Sequence, residues 1–118
     1  MIPPNAAPPK TLVIDYPAAE EKLRKQYVYQ AYLPEAEVQR QRIVPGNRLI
    51  VKFRDDTVGE GQAILVEPTT LERLSAYDAM IGGFEDVEHL RKHVAATVLR
   101  AAKKPAEASF YRLLFRWL

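Results

Sequence analysis

The sequence predicts an α+β domain, a small mixed β-barrel or strongly curved sheet with two to three flanking helices. Three observations favour this class. The length of 118 residues suits one compact domain. Apolar residues alternate over 48–54 and again over 110–118, as they do in strands. After Pro68 the apolar spacing becomes helical.

The N-terminal third predicts an arm, a strand and a helix. Residues 1–10 hold four of the nine prolines, which predicts a flexible proline-rich arm ahead of a single domain over 11–118. Thr11–Asp15 is a short β-branched run and predicts the first strand. Pro17, followed by Glu20 and Glu21, suits a helix start. Residues 26–33 fit both strand and helix spacing and stay undecided.

The middle of the chain predicts strands joined by tight turns. Pro34 interrupts any helix, and the charged, partly alternating residues 35–44 predict an exposed or edge strand. Pro45–Asn47 predicts a turn. In the strand predicted after it, Leu49, Val51 and Phe53 share one face, opposite Ile50, Lys52 and Arg54. Residues 54–61 then predict a hairpin loop, and 62–66 the returning strand.

Two helices and a last strand are predicted next. Thr69 and Glu72 have the spacing of a capping box, and the helix they begin should stop at Gly82–Gly83, with Gly82 in the left-handed position beyond its end. Asp86 is placed to cap a second helix reaching Ala101. The strand predicted at 110–118 is so apolar that it should close a sheet or barrel, because an exposed edge of that kind would aggregate.

The order of these elements resembles the ASCH domain, a branch of the PUA-like β-barrel superfamily. The resemblance covers roughly 44–118 and is carried by VPGNRLIV, GEGQAILVEPTTLERL, GGFEDVEHL and FYRLLFRWL. It implies a PUA-like fold and an association with RNA. The family usually has a Gly-Lys-Lys-Thr-like turn followed by a Glu-x-Arg strand in its N-terminal part. The nearest counterparts here are Glu37 and Arg40, and no lysine lies between Lys25 and Lys52.

Nucleic-acid binding would have to depend on a local cationic patch, because 17 basic and 15 acidic residues give a net charge of only +2. If the strands are neighbours, seven cations should converge on one wall and position phosphates. They are Arg40, Arg42, Arg48, Lys52, Arg54, Arg112 and Arg116. Tyr29 or Tyr32 would supply a stacking surface for a base. The alternative is that these side chains are polar because they face solvent.

We expect binding rather than catalysis. Some small ASCH-like proteins hydrolyse acylated cytidine nucleosides with a lysine, a threonine and a glutamate, so the resemblance admits an amidohydrolase or a ribonuclease-like hydrolase. Here the lysine position is empty and the glutamate position falls near Gly82 and Gly83, so the triad does not carry over; an enzyme would be expected to lose activity when Lys22 or Lys25 is changed. A third interpretation is a protein-interaction module or homodimer that uses the apolar last strand and the tyrosine-rich segment.

No metal or cofactor is predicted. Asp86, His89 and His93 share one helix face at metal-competent spacing, but no HExxH pattern accompanies them and a closed site needs another ligand. The absence of cysteine suits a reducing cytoplasm. Neither a signal peptide nor a membrane span is visible. The sequence thus predicts a cytoplasmic, bacterial protein whose partner is RNA or a nucleotide-like ligand.

Overall fold

A computed structural model describes residues 8–118, in which a five-stranded sheet curls into a half-barrel flanked by four α-helices. The strands are β1 (Lys10–Ile14), β2 (Gln30–Leu33), β3 (Arg48–Phe53), β4 (Asp56–Thr69) and β5 (Phe110–Trp117). The helices are α1 (Glu20–Arg24), α2 (Glu35–Gln41), α3 (Ala76–Gly82) and α4 (Val87–Ala96). The α+β class and the strongly curved sheet are confirmed, with four helices rather than two to three. Residues 1–7 of the predicted arm lie outside the described residues.

The last strand lies inside the sheet. The strand order is β1-β3-β4-β5-β2, with β1 parallel to β3 and every other pair antiparallel. Because β5 pairs with both β4 and β2, its apolar side chains are covered and its backbone is hydrogen-bonded on both sides. The edges of the sheet are therefore β1 and β2.

The sheet has two differently packed faces. The inner face holds the main core, to which all five strands contribute; its fully buried members include Leu12, Leu49, Val51, Leu113 and Phe115. Burying one such side chain stabilises the fold by roughly 1.5–3 kcal/mol. The outer face is covered only at one end, where α3 and α4 pack on Tyr32 and Phe110. The rest of the outer face is open.

Residues 35–41 form helix α2, so the strand predicted for 35–44 is wrong. Pro34 stands at the N-cap of α2, where a missing N–H costs nothing, and Glu35 and Glu37 occupy the first turn. The apolar side chain that packs α2 against the rest of the protein is Val38, which is buried in the main core. Arg42 ends the helix with φ of 56°. The charged residues that imitate an alternating strand are the solvent side of a short helix.

The undecided segment 26–33 contains a turn and strand β2. Gln26 has φ of 60°, which reverses the chain after α1. All four residues of β2 are buried, because its inner face meets the main core and its outer face meets α3. A strand covered on both faces lacks the polar alternation that identifies a strand in sequence.

Three predicted boundaries move. The hairpin loop shrinks to Arg54–Asp55, since β4 already begins at Asp56. Thr69 is the buried last residue of β4, and the capping box is made one turn later by Ser75 and Asp78. Gly83, with φ of 86°, takes the left-handed position that was predicted for Gly82. None of the helices in residues 8–118 combines the length and apolarity needed to cross a bilayer.

Candidate functional site

Three of the predicted cations share the open part of the outer face. Arg48 and Lys52 alternate with the buried inner residues of β3. Gln62 of β4 is the register partner of both Arg48 and Arg116, and Arg116 donates from Nε to the Gln62 side-chain oxygen at 2.9 Å. Arg48 also forms an exposed ion pair with Glu60. We call Arg48, Lys52 and Arg116 the cationic face.

The other four predicted cations do not join that face, so the expectation of seven cations on one wall is wrong. Arg40 pairs with Glu37 on α2, where it lowers the pKa of the Glu37 carboxyl, and Arg42 is the residue that ends this helix. Arg54 lies in the β3–β4 turn with its guanidinium 5.2 Å from the centre of the Phe53 ring. Arg112 is held in a buried polar network described below. The strand prediction for 35–44 was the reason that Arg40 and Arg42 were grouped with the rest.

The two predicted stacking residues have different environments. Tyr29 is 41% exposed, so its ring is accessible. Tyr32 is only 9% exposed, and its ring packs edge-on against Phe84 and Phe110. Burial raises the pKa of the Tyr32 phenol well above its ordinary value. Tyr32 therefore keeps its proton and belongs to the packed core.

A cleft of about 190 Å³ lies between the two edges of the half-barrel. It is bounded by the ends of β1 and β2 and by helix α4. Its lining includes Val13, Asp15, Tyr16, Gln30, Leu33, Phe84, His93 and Thr97. No lysine or arginine of residues 8–118 lines it. None of the predicted cations lines the cleft, although Lys52 is the register partner of Val13, which does.

A buried polar network forms one wall of this cleft. Asp78, 2% exposed, accepts hydrogen bonds at Oδ1 from Gln30 Nε2 and Arg112 Nη1, both at 2.9 Å. At Oδ2 it accepts from the backbone N–H and hydroxyl of Ser75, at 2.9 and 3.1 Å. The Tyr32 hydroxyl donates to the Asp78 carbonyl at 2.7 Å. One carboxylate therefore joins helix α3 to strands β2 and β5.

Arg112 is fixed between two carboxylates. It pairs with the buried Asp78 on one side and with Glu67, its register partner on β4, on the other. Its Nε atom is sealed from solvent without a hydrogen-bond partner among the described residues. These contacts commit Arg112 to joining elements of the fold.

The two histidines of α4 face different surroundings. His89 is exposed and lies 2.7 Å from the Asp86 carboxylate, which raises the pKa of His89. His93 packs against the rings of Tyr16 and Phe84, and burial lowers its pKa. Residues 8–118 contain no group of three or more potential metal-binding side chains in suitable positions. Of the two histidines that had metal-competent spacing in the sequence, His89 thus pairs with the N-cap residue Asp86, and His93 packs against aromatic rings.

The adjacent glycines at 82 and 83 are explained by packing. A Cβ on Gly82 would lie 3.1 Å from the Tyr32 ring, and one on Gly83 would lie 2.9 Å from Val28 Cγ2. Gly83 also has the left-handed conformation that lets Phe84 turn back into the core. The turn nevertheless lies at the cleft, since Gly82 and Phe84 both line it.

The curled mixed sheet has its last strand in the interior and two helices, α3 and α4, on one end of its outer face. Among solved structures, the chain is similar to protein EF3133 of family DUF984 from Enterococcus faecalis V583, with a TM-score of 0.70 and 10% identity over 93% of this chain and 76% of that one. It is also similar to an ASCH domain from Lactobacillus crispatus JV V101, with a TM-score of 0.62 and 9% identity over 92% of this chain and 79% of that one. No protein-family model matches the sequence, and neither does any curated protein. The chain therefore has the ASCH-type fold that its sequence predicts.

The structure also corrects where the family's N-terminal motif should be sought. Glu37 and Arg40 lie on helix α2, so they cannot be the Glu-x-Arg strand. The turn at Gln26 does precede a strand, β2, but its sequence QAYL contains neither glutamate nor arginine. An amidohydrolase would depend on the amines of Lys22 or Lys25. Lys22 lies on the exposed side of α1, and Lys25 follows the last residue of this helix and pairs with Glu21.

Sequence reasoning missed most of the residues that line the cleft, although Tyr32, one of the two predicted stacking residues, is among them. Four separate segments of the chain supply Tyr16, Gln30, Phe84 and His93, and no spacing in the sequence links them. Asp78 carried one usable signal, because Ser75 precedes it by three residues as in a capping box. Its second role, the contact with Arg112, becomes visible only once β5 is placed beside α3.

Proposed function

We propose that this chain is an RNA- or nucleotide-binding domain of ASCH-type fold, which binds its ligand without a catalytic centre of its own. The observation that carries the proposal is the cationic face, where Arg48, Lys52 and Arg116 lie on one open surface of three neighbouring strands. The similarity of this fold to that of an ASCH domain also supports the proposal.

The spacing of these cations suits several phosphates at once. Strands lie about 4.8 Å apart, so Arg48 and Arg116 are separated by roughly 10 Å across Gln62. Four residues at about 3.3 Å each place Lys52 roughly 13 Å from Arg48 along the strand. The ion pair between Arg48 and Glu60 is exposed on both sides, and such pairs contribute only about 0–1 kcal/mol. A phosphate can therefore replace Glu60 at little cost.

A double variant tests the proposal. Lys52→Ala with Arg116→Ala removes two phosphate contacts, so the slope of log K against log salt for single-stranded RNA should become shallower by about 1.4. The matched control is Arg100→Ala with Lys103→Ala, which makes the same change in net charge at exposed positions outside the cationic face. Binding is measured by fluorescence titration at several salt concentrations. Equal slopes for both double variants would disprove the assignment of the cationic face.

Self-association is a second candidate function. Tyr27, Tyr77 and Met80 are each at least 60% exposed, and the backbone of Tyr29 is hydrogen-bonded to Ile81 beside them. Large exposed apolar side chains grouped in this way are typical of interaction surfaces. The last strand cannot contribute, because β5 is interior. Light scattering should give a dimer mass that Tyr77→Ser with Met80→Ser converts to a monomer; a monomeric wild type removes this candidate.

A further inference from the structure

The orientation of the Gln30 amide is set by its neighbours. Gln30 is 3% exposed, and its Nε2 lies 2.9 Å from Asp78 Oδ1 and 2.8 Å from the Tyr32 hydroxyl. A carboxylate only accepts hydrogen bonds, so the nitrogen of the amide, and not its oxygen, must face Asp78. The Tyr32 hydroxyl uses its own hydrogen on the Asp78 carbonyl, so it accepts the second Nε2 hydrogen.

The amide oxygen of Gln30 is left facing the cleft. Both hydrogens of Nε2 are used, and no group in residues 8–118 donates to Oε1. The oxygen is not sealed inside the protein, because Gln30 lines the cleft. Among the described residues, the side-chain atom that is sealed from solvent without a hydrogen-bond partner is Arg112 Nε, and not Gln30 Oε1. A buried amide oxygen favours a hydrogen-bond donor strongly, because it has lost most of its contact with water.

The surroundings of this oxygen restrict what can donate to it. Tyr16 stacks on Phe84 with ring centres 4.3 Å apart, and Val13 and Leu33 add apolar surface. The charged carboxylate of the lining is Asp15, and no cationic side chain lines the cleft, which disfavours a phosphate or carboxylate ligand. A volume of about 190 Å³ is below the 300 Å³ or more typical of drug-sized ligands, so it suits one ring or a fused pair of rings.

From this geometry we propose that the cleft binds a small planar molecule carrying an amide or amino N–H group, and that Gln30 Oε1 is the acceptor that selects it. Ser75 and Arg112 hold Asp78, and Asp78 holds the amide so that its oxygen, rather than its NH₂, meets the ligand. The inference does not rest on the cationic face, since none of its three side chains lines the cleft.

Matched pairs of ligands test the proposal on the unmodified protein. Adenine is compared with purine, both as their 9-methyl derivatives so that the purine offers no N–H group, and nicotinamide is compared with methyl nicotinate, which replaces the amide by an ester. Binding is followed by NMR of the full chain labelled with ¹⁵N. We expect the donor-bearing member of each pair to bind at least about fivefold more tightly, because the other leaves the acceptor unpaired. It should also shift the side-chain amide resonance of Gln30. Equal affinities within both pairs, no binding of any of the four, or shifts confined to residues outside the cleft would overturn the proposal.

A variant adds an independent test. Gln30→Met keeps the length of the side chain without the acceptor, so the preference for adenine over purine should fall to within about twofold. Thr70→Val, which removes a hydroxyl group outside the cleft, should keep the full preference. If Gln30→Met does not fold, the ligand pairs on the unmodified protein still decide the question. Retention of the full preference by a folded Gln30→Met variant would refute the role of Gln30. The double variant Lys52→Ala/Arg116→Ala should bind adenine normally, which separates this inference from the proposed RNA function.

Discussion

Replacing Asp78 by alanine should destabilise the fold far more than replacing Glu67, although both carboxylates pair with Arg112. The Asp78 side chain is 3% exposed and that of Glu67 is 35% exposed. Asp78→Ala removes four hydrogen bonds and leaves donors of Arg112 and Gln30 without their acceptor. Breaking a buried pair costs about 3–5 kcal/mol, and the lower part of that range applies because Arg112 keeps Glu67. The lost capping box adds about 1 kcal/mol, so we expect a loss of about 4 kcal/mol.

Urea unfolding monitored by the fluorescence of Trp117 measures the difference. At a slope of about 1–3 kcal/mol per molar urea, the Asp78→Ala midpoint should fall by roughly 1.5–4 M. Glu67→Ala breaks a partly exposed pair and should cost at most about 1 kcal/mol. Losses for the two variants that agree within about 1 kcal/mol would show that burial does not decide the strength of this network.

Three further predictions concern the helices and the cleft. Gly83→Ala should cost about 1–3 kcal/mol, because φ of 86° disfavours a side chain and the added Cβ would lie 2.9 Å from Val28 Cγ2; an unchanged urea midpoint would contradict this. Ser75→Ala should cost about 1 kcal/mol, whereas Thr70→Ala, whose side chain caps no helix, should cost less than about 0.5 kcal/mol. Burial holds the pKa of His93 below the ordinary 6.5. Below about pH 6.5 the unfolded chain therefore binds more protons than the folded chain, and the free energy of unfolding decreases as the pH is lowered. His93→Gln should flatten the plot of urea midpoint against pH from 6.5 to 5. His89→Gln should flatten the plot above pH 6.5 instead, because the raised pKa of His89 gives a contribution that is fully present below pH 6.5 and is lost as pH rises.

The fold was predictable where each residue's environment follows from its neighbours in sequence. Strand β3 is buried on one face and open on the other, so Leu49, Val51 and Phe53 alternate with polar residues and identify it. Helix α4 was identified by its cap, because the Asp86 side chain accepts from the His89 N–H as its position indicated. Strand β2 was not predictable in this way, because it is covered on both faces.

The candidate site was less predictable, because side chains on separate elements form it. Arg48 and Lys52 belong to one strand, and their alternation places them on a common face. That Arg116 joins them depends on the register between β4 and β5, which includes a bulge at 63–65 that no spacing in the sequence reveals. Arg112, predicted to contact phosphate, is instead held by Asp78, a partner 34 residues away.

The sequence by itself determined the class of the fold, the strand alternation of β3 and β5 and the N-terminal cap of helix α4, because these depend on contacts between near neighbours along the chain. Only the tertiary structure decided which cations share a face, which way the Gln30 amide points and where the cleft opens. Those features depend on strand order and on the curling of the sheet, which bring β1, β2 and α4 together from distant parts of the chain. Hydrogen bonding and burial at such meeting points are properties of the assembled fold, and local composition does not encode them.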